Sequence, residues 1–395
     1  MRNKIKFCFI KQICQFVRLD CRASLAMMVV FFAAIVFSLS ACGEKDNAVV
    51  DDGVKQTIKI GVSLPLTGEG ANVGEAARKA IELAAEKWNV ADAKYNYEFI
   101  FENDMLQSKQ GAIIAQKFVG VDKVNAIISL WGIVAPVISE VAQRNKIINM
   151  TCAGLDNIAD PYYVFNNYTQ YDAIGKELAK KLKKDNIKSI VYIAENNSVG
   201  DGQSKVVSET IEKEGIKVLK IEKFLPDNKD YRMAISKLEK LNPDYYVMFL
   251  MMPGTTIFVE QFKQVTGKNN LAAIDVFQEM PEEFWPVANG LWYVKSTNGT
   301  AEFLNDFKQK TNITPQSCTG NQYDNVDLLI WAYENTPVRD GAKVPDNEDV
   351  VKTLHGVKNS FGAIGEFSID DKGIIHSKAT LMKMEDGKPV ELGIN

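Results

Sequence analysis

The chain has 395 residues, of which 46% are hydrophobic and 24% are charged, and its formal net charge is −4. This length and apolar content suit two domains that each have a full hydrophobic core. Six of the 46 basic and one of the 50 acidic residues lie among the first 41, so the remainder carries 40 against 49, a net charge near −9. No basic block remains in that part, which excludes the electrostatic basis of nucleic-acid binding.

Residues 1–41 have the organisation of an export signal. A basic stretch precedes an apolar core of fifteen residues at 25–39, which is short for a membrane span. The letters LSAC at 39–42 resemble a bacterial lipobox, in which the cysteine receives the lipid. We therefore expect an exported protein that is anchored to a cell membrane through lipid on Cys42 and faces the periplasm or the exterior. Residues 42–56 would be a flexible tether, and an uncleaved anchor helix is the open alternative.

The stretch after the tether begins with a strand and a helix. Residues 58–64 are apolar and rich in β-branched side chains, which predicts a buried strand. Turn residues follow at 67–70, and from Gly74 onward small and apolar residues recur at helical spacing. Such a loop directs the first amide groups of the helix at whatever lies above the strand. The glycines lack the spacing of a dinucleotide-binding or phosphate-binding loop.

Apolar strands and amphipathic helices then alternate along most of the chain, which predicts parallel sheets covered on both faces. The alternation pauses around 166–168 and restarts, so we expect two successive α/β units. The predicted strands are 97–102, 126–130, 147–150, 189–194, 217–224, 245–250, 271–275, 291–294 and 366–369. The predicted helices are 108–118, 136–144, 173–183, 200–214, 231–240, 255–266, 300–311, 322–335 and 347–354.

Residues 58–89, IKIGVSLPLTGEGANVGEAARKAIELAAEKWN, resemble the opening of the type I periplasmic binding proteins, specifically the branched-chain amino-acid class that supplies ABC importers. Four later motifs resemble that family in order: SVGDG at 198–202, DNKDY at 227–231, QYDNVDLL at 322–329 and FGAIGEFSIDDKG at 361–373. With these motifs the resemblance spans residues 57–392.

The resemblance implies an α/β fold of two Rossmann-like lobes, each a parallel sheet flanked by helices, joined by a three-crossing hinge. Lobe 1 would comprise residues 57–167 and 296–376. Lobe 2 would comprise residues 168–295 and 377–395.

The ligand site is expected where the strands end. In open α/β sheets ligands bind beyond the carboxyl ends of the strands, and two facing lobes close by hinge motion. The resemblance implies a serine-rich loop after the third strand and a Ser/Ala/Thr loop after the fourth to hold an amino-acid carboxylate, with an acid of the second lobe for the ammonium. The candidate ligand-binding residues at the corresponding places are Val73, Leu130, Trp131, Gly132, Ile133, Cys152, Ala153, Gly154, Leu155, Val199, Met251 and Gln278.

This lining departs from the pattern of the amino-acid-binding members. Trp131, Gly132 and Ile133 stand where serines are expected, and Leu155 stands near the family's threonine. A buried carboxylate or ammonium without partners costs several kcal/mol. We therefore expect an apolar or aromatic acid in preference to an amino-acid-like ligand, with backbone amides after Gly74 and Gly132 available for one carboxylate.

Several candidates also have a structural interpretation that the sequence leaves open. Trp131 could pack in the core near the hinge, Met251 could fill a core, and Cys152 could be a small buried residue. Asp104 is expected to be a turn or cap residue. Tyr171, with its neighbour Asp172, suits a hinge role as well as ligand contact.

No catalytic constellation is found, so we predict a binding protein, not an enzyme, with no cofactor and no metal. His355 and His376 have no Cys, His or carboxylate at ligand spacing. No Gly-x-Ser-x-Gly elbow presents a nucleophile. The glutamates at 279–283 have the pattern of a solvated charged surface.

Cysteine usage leaves one question open. Cys152 and Cys318 are the two cysteines beyond Cys42. Export would permit a disulfide between them, but buried unpaired cysteines are common.

The predicted function is that of a lipid-anchored, monomeric substrate-binding protein that delivers a small molecule to the permease and ATPase subunits of an ABC importer. The alternative is a ligand-sensing receptor of the same fold that signals to a partner without transport. Both functions use the same cleft, so the sequence does not separate them.

Overall fold

The computed structural model describes residues 55–155, 158–159, 162–275, 277 and 280–392. These residues belong to one compact unit that begins at Lys55. The predicted export signal, Cys42, most of the tether and the candidate residue Gln278 lie outside the described residues.

The first sheet has five parallel strands in the order β2-β1-β3-β4-β5. The β-branched side chains of Ile58, Ile60 and Val62 are fully buried, as expected for a parallel sheet covered on both faces. The strands are β1 Thr57–Leu64, β2 Asn96–Asn103, β3 Ala126–Leu130, β4 Ile148–Cys152 and β5 Val164–Asn166.

The second sheet has seven strands in the order β15-β14-β10-β9-β8-β6-β7. The strands are β6 Ser189–Glu195, β7 Lys217–Phe224, β8 Tyr245–Phe249, β9 Leu271–Ile274, β10 Trp292–Lys295, β14 Thr380–Glu385 and β15 Lys388–Glu391. The first five pair in parallel, whereas β14 and β15 form an antiparallel hairpin at one edge. Asp386 and Gly387 take positive φ in its turn, which is the conformation that favours an Asp-Gly pair. This sheet is therefore mixed, where the sequence predicted a parallel one.

Helices cover both faces of the two sheets. They are α1 Ala71–Trp88, α2 Ser108–Lys117, α3 Ala135–Arg144, α4 Tyr171–Lys184, α5 Ser198–Lys213, α6 Arg232–Leu238, α7 Gly254–Thr266, α8 Trp285–Ala288, α9 Ala301–Thr311, α10 Thr319–Asn335 and α11 Asn347–His355. A π-helical turn at Phe118–Asp122 and 3₁₀ turns at Glu239–Leu241 and Glu282–Phe284 extend or link them. In the part of the chain that the structure describes, no helix has the length and apolar content needed to cross a bilayer.

Two α/β lobes result from this arrangement. Helices α1, α10 and α11 share a hydrophobic core with the first sheet, and we call this part lobe 1. Helices α4 and α5 pack on one face of the second sheet and α6 and α7 on the other, and we call this part lobe 2.

A small antiparallel sheet completes lobe 1. It contains β11 Ser360–Gly362, β12 Gly365–Ile369 and β13 Ile375–His376. The buried carboxylate of Asp324, on α10, accepts hydrogen bonds from the N–H groups of Ala363 (2.7 Å) and Ile364 (2.9 Å). The QYDNVDLL and FGAIGEFSIDDKG motifs therefore contact each other through this aspartate.

The chain passes between the lobes three times, at residues 167–170, 296–300 and 377–379, which we call the three crossings. The fully buried hydroxyl of Thr169 joins all three. It accepts a hydrogen bond from the Thr297 N–H (3.0 Å) and shares one with the Ser377 hydroxyl (2.9 Å). A single side chain of the first crossing is therefore hydrogen-bonded to the other two.

Candidate functional site

Several helices begin within a few residues of a strand end, among them α1 after β1, α3 after β3, α5 after β6 and α7 after β8. The first amides of a helix have no partner within the helix, and they carry the positive end of its dipole. The starts of α1 and α3 have no side-chain cap, whereas Asn197 caps α5 by accepting a hydrogen bond from the Gly200 N–H (2.8 Å). At α3 the Ala135 N–H already donates to a backbone carbonyl and Pro136 has no N–H, so in lobe 1 the start of α1 is better suited to a carboxylate.

The loop after β3 is built around Trp131, which has a φ of 61°. This left-handed conformation costs a bulky residue of the order of 1–3 kcal/mol and is common at binding sites. The Trp131 N–H donates to the Cys152 carbonyl (2.9 Å), and its own carbonyl accepts from the Ala135 N–H at the start of α3 (2.9 Å). The indole is half-buried against the lobe 1 core and lies beside Gly70.

Three further candidates surround this tryptophan loop. A Cβ atom on Gly132 would lie 2.8 Å from Cγ of Leu155, so the loops after β3 and β4 are in direct contact at this glycine. Leu155 is half-buried, and Ile133 is 47% exposed. The structure thus brings the loop of Trp131 and Gly132 into contact with Leu155, and their role as one ligand site stays a prediction.

A disulfide and buried hydrogen bonds hold the loop after β4 in place. Cys152 forms a disulfide with Cys318, with 6.2 Å between the Cα atoms, and both residues are buried. The Asn166 side chain accepts from the Ala153 N–H (3.0 Å) and donates to the Ala153 carbonyl (2.9 Å). Cys152 and Ala153 therefore have no exposed side-chain surface for a ligand, and Cys152 has the structural role that the sequence left open.

Tyr171 connects the loop after β4 to the start of lobe 2. Its hydroxyl donates to the Gly154 carbonyl (3.0 Å), and its ring packs edge-on against Tyr168 of the first crossing. A Cβ atom on Gly154 would overlap the Tyr171 hydroxyl and lie 3.3 Å from the Tyr168 ring, so this position has no space for a side chain. Tyr171 therefore links the loop after β4 to the first crossing, and its hinge role stays a prediction.

In lobe 2, a buried carboxylate joins the loops after β6 and β8. Glu195, the last residue of β6, accepts hydrogen bonds from the Met251 N–H (2.7 Å) and from the Asn197 side-chain amide (2.8 Å). Burial raises the pKa of Glu195, and the bond from Met251 opposes that rise. Met251 is 37% exposed, and Val199 packs half-buried on the lobe 2 core.

A second buried acid lies after β9. Asp275 has a φ of 55° and accepts hydrogen bonds from the hydroxyl and the N–H of Ser296 in the second crossing. Burial raises the pKa of Asp275 to about 6, and the bonds from Ser296 oppose the rise. Both acids stand at strand ends, where the sequence predicted ligand lining, but nothing in the sequence indicated that each would be buried and hydrogen-bonded to another loop or crossing.

The other candidates fall into two groups. Val73 and Leu130 are buried in the lobe 1 core. Asp104 is fully buried and accepts hydrogen bonds from the Ser63 hydroxyl (2.8 Å) and the Leu106 N–H (2.8 Å), so it holds a turn, as predicted.

Both histidines of the chain contact one aspartate, which the sequence spacing did not suggest. His376 Nε2 lies 2.9 Å from the Asp370 carboxylate, and His355 Nδ1 lies 3.0 Å from the Asp370 carbonyl. Burial raises the pKa of Asp370, but hydrogen bonds from His376 and two backbone N–H groups outweigh this and lower it. Among the described residues, no three His, Cys, Asp or Glu side chains converge in a way that could hold a metal ion.

Two cavities, of about 580 and 440 Å³, lie on either side of the third crossing. Ser377 and Lys378 line both of them. None of the eleven described candidate residues lines either cavity. The strand-end residues and these cavities are therefore separate features of the molecule.

Comparisons with known proteins place this geometry in a family. The model of the family described as periplasmic binding protein matches residues 57–389. A Leu/Ile/Val-binding protein homolog 3 from Brucella melitensis is 24% identical over 364 residues, which cover 85% of this chain and 93% of the relative.

Two solved structures have the same fold. The branched-chain amino-acid transporter substrate-binding protein LivJ from Streptococcus pneumoniae, in complex with isoleucine, superposes with a TM-score of 0.71 at 21% identity and covers 85% of this chain and 100% of its own. A solute-binding protein of an ABC transporter from R. palustris, in complex with benzoate, gives a TM-score of 0.72 at 18% identity over 85% and 96%. At these identities the likeness shows the two-lobe fold.

Proposed function

Because the chain belongs to the periplasmic binding protein family, we propose that it is the extracytoplasmic substrate-binding protein of an ABC importer and that it holds a small molecule between lobe 1 and lobe 2. The observation that carries this proposal is the placement of the candidate residues on loops at the carboxyl ends of β3, β4, β6 and β8, in two lobes connected by three crossings. Ligands bind at such strand ends, and hinged lobes close over them. The partners would be permease and ATPase subunits.

The same proposal assigns the parts of the chain. Lobe 1 would comprise 57–167 with 296–376, and lobe 2 would comprise 168–295 with 377–395, which fits the strands of each sheet. The export signal would end before Cys42, whose lipid would anchor a monomer to the membrane. The disulfide supports export, since disulfides persist in oxidising compartments.

The ligand would be an apolar or aromatic acid. Trp131, Ile133 and Met251 present partly exposed apolar surface at the strand ends. The nearby hydroxyls are engaged elsewhere: Ser129 donates to Asn149 (3.1 Å) and Thr151 to the Ser129 carbonyl (3.3 Å), both fully buried. These hydroxyls are therefore unavailable to a zwitterion.

One carboxylate could still be received by the start of α1, which has no side-chain cap. The neighbour from R. palustris holds benzoate, which has one carboxylate and no ammonium. The LivJ neighbour holds isoleucine, which has both. A lining with apolar side chains and an uncapped helix start suits the first type of ligand better.

A thermal-shift screen of the purified mature protein tests this proposal. The compounds would be benzoate and other aromatic acids, short fatty acids, amides, and leucine and isoleucine. A ligand at one hundred times its Kd adds about 2.7 kcal/mol to the free energy of unfolding, which raises Tm by several degrees. We expect stabilisation by an aromatic or aliphatic acid, and stabilisation by micromolar leucine would overturn the ligand class.

A matched pair of tryptophan variants locates the site. Trp131→Ala should weaken binding of the stabilising acid by about tenfold or more, because it removes the largest apolar surface at the strand ends. Trp331→Ala removes a comparably exposed indole on α10, away from the strand-end loops, and should leave binding unchanged. Equal effects of the two variants would contradict the proposed site.

A further inference from the structure

The disulfide joins two parts of lobe 1 that serve different purposes in the proposed function. Cys152 is the last residue of β4, directly before the candidate residues Ala153, Gly154 and Leu155. Cys318 immediately precedes α10 and has a φ of 64°. The link therefore fastens a candidate ligand loop to the beginning of the longest helix of the late part of the chain.

The beginning of α10 holds the second crossing. The Gly320 N–H donates to the Asn298 carbonyl (2.7 Å), and a Cβ atom on Gly320 would lie only 2.7 Å from that same oxygen. Helix and crossing are thus in backbone contact, and movement of Cys318 along the helix axis would displace residue 298.

The first crossing is held by the next residue of the same helix. Asn321 donates through its side chain to the Asn167 carbonyl (3.0 Å), and Asn167 donates through its side chain to the Asn321 carbonyl (3.1 Å). Both side chains are fully buried. This reciprocal pair fixes the orientation of the first crossing on α10.

The other half of the disulfide reaches the two ligand loops. The Cys152 carbonyl accepts the Trp131 N–H (2.9 Å), and the preceding Thr151 carbonyl accepts the Asn167 N–H (2.8 Å). The end of β4 thus contacts the loop after β3 on one side and the first crossing on the other.

From these contacts we infer that Cys152 and Cys318 are a positioning pair, which couples the ligand loops after β3 and β4 to the first two crossings through the beginning of α10. The inference rests on the proposed function, because it assigns the disulfide to the same site and to its hinge. A covalent bond is suited to this role since it cannot shift in register, whereas the hydrogen bonds around it can exchange partners. The pair acts through the loops and does not itself touch the ligand.

Hydrogen exchange measured by mass spectrometry on the mature protein tests the coupling without any ligand. The variant is Cys152→Ala with Cys318→Ala. The amides to follow are those of Asn167, Thr297 and Gly320, whose hydrogen bonds tie the crossings to β4, Thr169 and Asn298. We expect these amides to exchange at least tenfold faster, while amides of β8 in lobe 2 keep their rates.

The control is Ile148→Ala, which removes a fully buried side chain at the other end of β4 and weakens lobe 1 without touching the disulfide. If the control accelerates the crossing amides as much as the double variant does, the disulfide is only a staple of lobe 1 and the inference is wrong. Unchanged crossing amides in the double variant would also overturn it.

Two complications are covered by the design. If the double variant fails to fold, the wild-type protein exchanged in the presence and absence of a reductant gives the same comparison. Because the readout needs no ligand, failure of every compound in the thermal-shift screen would count against the proposed function and leave the exchange result interpretable.

Discussion

The strand-end loops of the two lobes are held by different chemistry. In lobe 1, the loops after β3 and β4 are fixed by the disulfide and by the neutral side chain of Asn166. Residues 130–135 and 151–155 contain no charged residue. In lobe 2, the loops after β6, β8 and β9 are fixed by the buried carboxylates of Glu195 and Asp275. One set of loops therefore depends on a covalent bond and the other on protonation state.

The loops of the two lobes should therefore respond differently to pH. A neutral, covalently tied loop keeps its geometry over a wide pH range. A loop tied to a buried carboxylate changes its free energy when that group gains or loses a proton. Replacing the disulfide of lobe 1 and replacing a buried carboxylate of lobe 2 should therefore lower the free energy of unfolding by different amounts and with different pH dependence.

Loss of the disulfide is the largest expected effect. The double variant Cys152→Ala with Cys318→Ala frees residues that are 166 positions apart, and the loop-entropy relation gives a loss of roughly 5 kcal/mol in the free energy of unfolding. Urea denaturation of the variant and the wild type at pH 5 and pH 7 measures it. We expect the same loss at both values, and a loss that differs by more than about 1 kcal/mol between them would contradict the assignment of pH sensitivity to lobe 2.

The pH dependence of lobe 2 is the next effect. Burial raises the pKa of Asp275 from its ordinary 3.8 to about 6, so the folded protein binds this proton more tightly than the unfolded chain does. Its contribution makes the free energy of unfolding fall as pH rises from about 4 to about 6, by about 3 kcal/mol. Asp275→Asn keeps an acceptor oxygen for Ser296 and should remove this part of the slope. Urea denaturation from pH 4 to 7 measures the slope.

An exposed aspartate supplies the control for that slope. Asp371→Asn, in the turn between β12 and β13, should leave the pH dependence of the wild type intact. Parallel pH curves for the wild type and Asp275→Asn would show that Asp275 does not carry the sensitivity of lobe 2.

Most of the fold could be predicted from local pattern. The predicted strands 126–130 and 217–224 coincide with β3 and β7. The first is fully buried and almost wholly apolar, as expected of an inner parallel strand, whereas the second mixes lysines with apolar residues at the edge of its sheet. The family resemblance, confirmed by the family model over residues 57–389, supplied the two-lobe arrangement. The short strands β5, β11 and β13 have three, three and two residues, too few for a periodic pattern, and they exist because distant partners pair with them.

The candidate site was predicted in part, and the missing parts depend on contacts between distant residues. The local pattern places Trp131, Gly132 and Leu155 just after the ends of neighbouring strands, which predicts that they lie near one another. It could not show that Cys152 faces a cysteine 166 positions away. The contact of His376 with Asp370 likewise depends on a turn that pairs β12 with β13. Whether the twelve candidates bind a ligand stays a prediction.

Variants of Thr169, which links the three crossings, test whether the disulfide of lobe 1 and the buried carboxylates of lobe 2 act independently. Thr169→Val removes the acceptor of the Thr297 N–H and the partner of the Ser377 hydroxyl, which should cost about 2 kcal/mol because the amide is left unsatisfied near the interior. Thr169→Ser keeps the hydroxyl and should cost less than half of that. Urea denaturation measures both. If Thr169→Val also abolished the pH slope assigned to Asp275, the crossings and the Asp275 carboxylate would act together. The pH sensitivity would then not belong to lobe 2 alone.

Variants at the contact between the loops after β3 and β4 should have the smallest effect on the free energy of unfolding. They test whether the disulfide holds these loops in place. A Cβ atom on Gly132 would lie 2.8 Å from Leu155 Cγ and 2.9 Å from Cδ1, and Leu155 is only half-buried and can move aside. Gly132→Ala should therefore cost about 1 kcal/mol of overpacking. Leu155→Ala removes the clash, so the double variant should recover most of that loss relative to Leu155→Ala alone, in a double-mutant cycle followed by urea denaturation. Because the disulfide holds the loop after β4 in place, we expect the coupling between Gly132 and Leu155 to shrink when Cys152 and Cys318 are replaced by alanine. A coupling of unchanged size in that background would mean that packing alone sets the loop, and that the two lobes differ less than their anchors suggest.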